Sequence, residues 1–285
     1  MPIEFRSATT ATANGASSLT INTPAGVQDG DVLVATVSAT PLRTLTTPAG
    51  WTHLRTDDSG TFGNSLRQSV FYRIAASEPA SRTFTFSGSA DIGAVILAYS
   101  GVDATTPVHV SGAQVSATAV SAITAPSVTT TAPEALILSV LGVLTDTTLT
   151  IPSGTTSRAA IQSVGGVDVS VRVVEAPATA PGATVARTAN SGTRAQHVGT
   201  TIALAPANTA PNAPTVTVPA TINRAATNRS DVPFSDDDAG DSQSKLDVRW
   251  WDLDAGGARI GTEHTYSHTS PVQYWDAPAG TFTVG

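Results

Sequence analysis

The sequence predicts an all-β protein: a jelly-roll-type antiparallel β-sandwich built from two pseudo-repeats, followed by a second, small β-sandwich. Three observations carry this. Hydrophobic residues make up 40 % of the 285 residues and charged residues only 13 %, with a single lysine, so the Glu/Lys face that solubilises long helices is missing. Short apolar runs alternate with Gly-, Pro-, Ser- and Thr-rich turns, and no helical period emerges. The octapeptide TLTTPAGW at 44–51 returns as TLTIPSGT at 148–155, 104 residues on.

The flanks of the two octapeptides match as well. VLVATVSA (32–39) precedes the first as ALILSVLG (135–142) precedes the second, and SVFYRIA (69–75) follows as VSVRVVE (169–175) follows. Each copy closes on an apolar strand, GAVILAYSG (93–101) and VGTTIALAP (198–206). The pseudo-repeats therefore run from about 1–105 and 106–206.

Within the first copy, strands are expected at 3–6, 18–22 and 31–38, with PAGVQDGD (24–31) as a turn. Residues 68–75 alternate, with Val70, Tyr72 and Ile74 on one face and Phe71, Arg73 and Ala75 on the other; alternation alone does not say which face is core. Strands follow at 81–87 and 94–99, the latter a continuous apolar run that fits a strand covered on both sides. In the second copy, strands are expected at 135–143, 147–151, 157–163, 168–175, 183–187 and 196–204. Each copy has few large apolar residues, so one shared core, with each copy contributing to both sheets, fills better than two tandem sandwiches.

The proline-rich stretch at 207–214 reads as a semi-rigid linker. Beyond it, at 215–285, composition shifts: three of the four tryptophans and nine of the 17 aspartates lie here. Strands at 215–218, 231–234, 245–252, 259–266 and 281–284 suggest an immunoglobulin- or fibronectin-III-like module, and the last of them suggests that the module continues past Gly285.

Composition also narrows function. A net charge of −7 gives no electrostatic case for nucleic acid or an anionic membrane surface, and no apolar run reaches a membrane span. Cysteine is absent, which removes disulfide, thiolate and Cys–zinc chemistry. The start, MPIEFRSATTATA, lacks a basic stretch followed by an apolar one, so no secretion signal is expected. No G-x-S-x-G, phosphate loop, H-E-x-x-H or paired-carboxylate arrangement is present, and the expectation is a protein that is not an enzyme.

Three places are candidates for binding. Asp236, Asp238 and Asp241 surround Gly240 and could converge on calcium, although the EF-hand spacing is not met; a solvated turn is the plain alternative. His264 and His268 share a strand face but would need a third ligand, such as Asp252, Asp254 or Glu263, to hold zinc. Trp51 stands where the other repeat has Thr155, and an aromatic ring on a sandwich is the group that would take a sugar. The plain alternative for Trp51 is a core plug. Phe62, Tyr72 and Tyr99 are the other aromatics weighed for sugar binding, and His53, His109 and His197 are isolated.

Taken together, PAGWT (48–52), SVFYRIA (69–75) and ILAYSGVD (96–103) resemble the N-terminal region of actinobacteriophage minor tail proteins. DDDAGDSQSKLDVRWW (236–251) is similar to the fibronectin-like modules that follow in those proteins, where an acidic turn and a Ser-Gln pair precede a strand bearing Arg and Trp. The resemblance covers nearly the whole chain and implies a non-enzymatic virion component of the tail or tail tip, assembled in the host cytoplasm. Its partners would be other tail proteins and, through closed symmetry, further copies of itself. Contact with host cell-wall glycan is implied as a further role, and the alternative is a carbohydrate-binding module of a bacterial surface protein.

Overall fold

The computed structural model describes residues 2–61, 64–162, 169–178 and 180–207 in full, and the backbone of four strands beyond them. The chain divides into two compact units, Met1–Ala207 and Asn208–Gly285.

The first unit is all-β and antiparallel. Its first repeat gives β1 (Glu4–Asn22), β2 (Val32–Thr40), β3 (Leu45–Thr46), β4 (Thr52–Asp58), β5 (Arg67–Ile74) and β6 (Ser81–Ser100). Its second gives β7 (Val108–Ala125), β8 (Thr129–Thr130), β9 (Ala135–Val143), β10 (Thr156–Gln162), β11 (Ser170–Ala178), β12 (Gly182–Ala183) and β13 (Arg187–Leu204). The sheets run β1-β6-β2-β5-β4, with β3 on β6, and β7-β13-β9-β11-β10; β8 and β12 pair separately. Replacing each strand of the first sheet by its repeat partner reproduces the order of the second.

The topology corrects one expectation. Each sheet is built by one repeat, whereas a jelly roll in which each repeat feeds both sheets was expected. The reason is local. β2 pairs antiparallel with β5 and β6 of its own repeat, which closes shorter loops than pairing with the matching strands of the other repeat would. The sharing that the core needed occurs face to face instead. Val34, Val70, Val95 and Leu97 of the first sheet pack with Leu138, Val140, Val171, Val173 and Ile202 of the second in one buried cluster.

The repeats meet about a local two-fold relation. Val102 bridges Pro206, the residue 104 positions on. Asp103 N donates to Ala205 O at 2.9 Å and Ala207 N donates to Gly101 O at 2.7 Å, and exchanging each residue for its partner 104 away turns one bond into the other. The sheet edges obey the same relation, with β1 against β10 and β7 against β4.

Each repeat also covers its own outer face. The predicted strands at 3–6 and 18–22 are one strand, β1, and those at 81–87 and 94–99 are one strand, β6. The Gly/Ser-rich stretches between them bend a strand and do not reverse it. Register shifts occur at Ala13/Ala16 and Ala16/Ser18, beside Gly15 at φ +59°, whose N–H donates to Asp91 Oδ1 at 2.7 Å. Past the bend, the far halves of β1 and β6 fold over the outer face, so Phe71 is buried there while Val70 is buried on the inner face. Both faces of residues 68–75 are thus core. The expected strand at 183–187 does not form as one: Ala183 ends β12, 184–186 lie in no strand, and Arg187 opens β13, which runs on through the expected 196–204, while the expected strand at 147–151 is a lone bridge from Leu149 to Ser191.

In the second unit the backbone forms β14 (Asn228–Asp231), β15 (Leu246–Leu253), β16 (Arg259–His268) and β17 (Tyr274–Ala277), paired β14-β17 and β15-β16. The strand at Tyr274–Ala277 was not expected, and those expected at 215–218 and 281–284 lie outside the described residues.

Candidate functional site

The repeated octapeptide is one turn built twice. In the first copy Trp51 N donates to Pro48 O at 3.1 Å, and Gly50 takes φ +77°. In the second, Thr155 Oγ1 donates to Pro152 O at 2.7 Å, and Gly154 takes φ +68°. A positive φ strains any residue with a Cβ, so glycine holds both positions. Each turn glycine lies under an arginine: a Cβ at Gly50 would stand 3.0 Å from Arg73 Nη1, and one at Gly154 would stand 3.4 Å from Arg187 Nη1.

The two turns deliver different side chains. Trp51 is 6 % exposed and enters the outer core of the first repeat, its ring 6.1 Å from that of Phe84, which in turn lies 6.0 Å from Phe71. The Arg73 guanidinium sits 6.0 Å from the indole centroid, and the indole N–H is buried with no acceptor among the described residues. A ring that stacks on a sugar needs an open face; Trp51 has none.

Beside Trp51 lies a nearly dry ion cluster. Glu78, 5 % exposed at its side chain, takes Arg73 Nη2 on Oε1 at 2.8 Å and Arg82 Nη2 on Oε2 at 2.7 Å. Register identifies the second-repeat counterparts. Leu33 pairs with Arg73 as Ile137 pairs with Ala176, so Ala176 replaces Arg73. The Thr20–Thr83 hydroxyl bond of 2.9 Å recurs as Thr124–Thr188 at 2.9 Å, so Arg187 stands at the place of Arg82. Thr155 replaces Trp51, and residues 177–186 contain no acidic residue to replace Glu78.

A second constellation joins the sheets. Glu175 of β11 receives the Tyr99 hydroxyl at 2.8 Å and Arg158 Nη2 at 2.5 Å. The Arg158 guanidinium lies 4.3 Å over the Phe5 ring, and Phe5 meets Tyr99 edge-on at 5.6 Å. Burial first, and the Glu175 carboxylate second, push the Tyr99 phenol well above its ordinary range. At the other end of the interface, buried Gln68 accepts from Thr200 Oγ1 at 2.6 Å and donates to Ser38 Oγ at 3.4 Å. Neither group has a nucleophile or an open face; both lock one sheet onto the other. Tyr99 was visible beforehand as an aromatic, but its partner in the other repeat leaves no local pattern.

Of the histidines, His53 bonds Thr56 at 2.9 Å, and His109 bonds Thr130 at 3.1 Å and Thr131 at 2.8 Å. His197 is 2 % exposed, with neither ring nitrogen partnered among the described residues, and burial holds its pKa below the ordinary value. Among the described residues no group of three or more His, Asp or Glu could hold a metal ion. Asp236, Asp238 and Asp241 lie outside the described residues, as does Phe62, and His264 and His268 lie on β16, described by its backbone alone. No helix among the described residues is long and apolar enough to cross a membrane.

Compared with known protein families, curated proteins and solved structures, the chain matches none.

Proposed function

We propose that this protein is a structural component of a bacteriophage virion, a minor tail or tail-tip protein that works through assembly and not through catalysis. The observation that carries the reading is the likeness of residues 48–52, 69–75 and 96–103, together with 236–251, to those proteins. In this reading 215–285 is an immunoglobulin- or fibronectin-III-like module, and the partners are other tail proteins and further copies of this chain. The physical character of the first unit supports it. The polar groups buried between its sheets are consumed in holding the sheets together, as Glu175 and Gln68 are, which suits a part that must resist deformation.

The test is quantitative mass spectrometry of density-banded particles from an infected or induced host. The protein is expected at a fixed small copy number per particle, and co-purifying with tail rather than head fractions after dissociation. Its absence from intact particles, despite expression during infection, would sink the proposal. A glycan test through Trp51→Ala does not discriminate, because removing a 6 %-exposed indole perturbs the fold itself.

A further inference from the structure

The second repeat buries a titratable group in its apolar outer layer. His197 pairs with Val143 and is followed by Val198, which belongs to the cluster between the sheets, so the imidazole lies on the outer face. There Val143 joins Ile123, Leu141, Leu149, Ala189 and Ala195 in one apolar cluster. The imidazole is 2 % exposed, and neither ring nitrogen has a partner among the described residues. The first repeat has Ile92 at this position, fully buried in its own outer cluster.

Nothing on the flanking strands compensates a charge there. β7 and β9, which pair with β13 on either side of His197, carry no carboxylate, and β13 itself carries none. The titratable and charged groups of these strands are His109, bonded to Thr130 and Thr131 near the start of β7, Arg187, which donates to Ser153 O, and Arg194, which donates to Ala119 O. On the segment that leads into Leu149, the Asp146 carboxylate takes the Gln162 amide. A protonated imidazole would be a cation in an apolar layer without a counter-ion, and burial already holds the pKa of His197 below the ordinary value.

The position is also the bend of the strand. Register shifts fall between Asn190 and Ala195 and between Ala195 and His197, and beyond them Ile123 and Ala189 lie over Leu141 and Val143 as part of the cover. The first repeat pins the matching bend with Gly15 N–H on Asp91 Oδ1 at 2.7 Å. At the place of Asp91 the second repeat has Gln196, whose Oε1 accepts from Ser59 Oγ at 2.9 Å, so that tie is absent.

We infer that His197 is an acid-operated latch: once protonated it leaves the closed layer, and the cover formed by 120–125 and 187–195 lifts at the bend, opening Ile123, Leu141, Val143 and Leu149 while the cover of the first repeat stays shut. The response belongs to one layer of one repeat. The inference does not depend on the virion assignment, and its failure leaves that assignment standing.

The test is amide hydrogen exchange on the full chain from pH 7.5 to pH 5, corrected for the intrinsic pH dependence of exchange. The lifted cover lets His197 take up its proton near the ordinary histidine pKa of about 6.5, so protection across 120–125 and 187–190 is expected to fall by up to about tenfold per pH unit below that value. Protection across the matching 18–22 and 81–85 is expected to hold. His197→Gln keeps a buried polar side chain without the titration and is expected to abolish the pH dependence; His197→Ile, which installs the first repeat's own residue, is expected to do the same and keeps the test decisive if the Gln variant does not fold. Protection of the second cover that stays flat down to pH 5, an equal loss in both covers, or a loss that survives the substitutions would each overturn the inference.

Discussion

The two repeats share strand order, turn geometry and even a threonine–threonine bond, yet they fill their outer layers by opposite means. The first packs Trp51, Phe71, Phe84 and Phe86 with Leu19, Ile21 and Leu33. At the places of Phe84 and Phe86 the second has Ala189 and Ser191, and at the place of Ala94 it has Gly199. With less volume to enclose, its covering strand descends further: a Cβ at Gly199 would stand 2.0 Å from Thr124 O and 2.7 Å from Ala125 N. A duplicated topology thus tolerates two core volumes if the gap between layers changes with them. The inner faces had no such freedom, since each must complement the other, and both are mainly aliphatic, with Tyr99 the aromatic exception in the buried cluster.

Five predictions sharpen or break this comparison. Phe84→Ala imposes the second repeat's choice on the first without lowering its covering strand, and should cost about 4 kcal/mol in urea unfolding. A cost below about 1 kcal/mol would mean that the layer collapses freely. Glu78→Ala should cost about 3 kcal/mol, because two arginines stay nearly buried without their counter-ion. If Glu78→Ala leaves the urea midpoint unmoved, the ion cluster is not holding the loop. Gly199→Ala should cost about 2 kcal/mol while Ala94→Gly costs about 1 kcal/mol or less, the first by collision and the second by backbone freedom.

The fourth concerns pH. His197 stands where the first repeat has Ile92, and its folded pKa is lowered, so the unfolded chain takes up the proton first. Stability is therefore complete above the ordinary histidine pKa of about 6.5 and declines as pH falls below it, by at most about 1.4 kcal/mol per unit. His197→Ile should flatten stability between pH 7 and pH 5; an unchanged slope would place the acid sensitivity elsewhere. The smallest effect is expected from Thr124→Val and Thr20→Val, each about 0.5 kcal/mol and equal to one another, since both remove the same exposed cross-strand bond. Unequal losses would show that the two covering strands are not held alike.

Much of this was legible in the chain. Alternation, turn residues and the returning octapeptide located many of the β strands of both repeats, but not β4 or the long β7, and the exchange of Trp51 for Thr155 marked where the copies part. The candidate site was less legible. Trp51 stood out because it is large, but nothing local says that Phe84 and Arg73 close over it. That 177–186 offers no carboxylate where the first repeat has Glu78 shows only when Ala176 and Arg187 are laid on Arg73 and Arg82 by strand register.

What the amino-acid sequence determined by itself is periodicity, which sets strand and turn, and duplication, which sets two equivalent series of strands. Tertiary structure alone decided that each repeat keeps its own sheet, that the copies meet across Val102 and Pro206, and that Tyr99 finds Glu175. The physical reason is range. Strand propensity and turn chemistry act over a few residues, whereas the pairing of faces depends on volumes and charges about a hundred residues apart, which are compared only once the chain has folded.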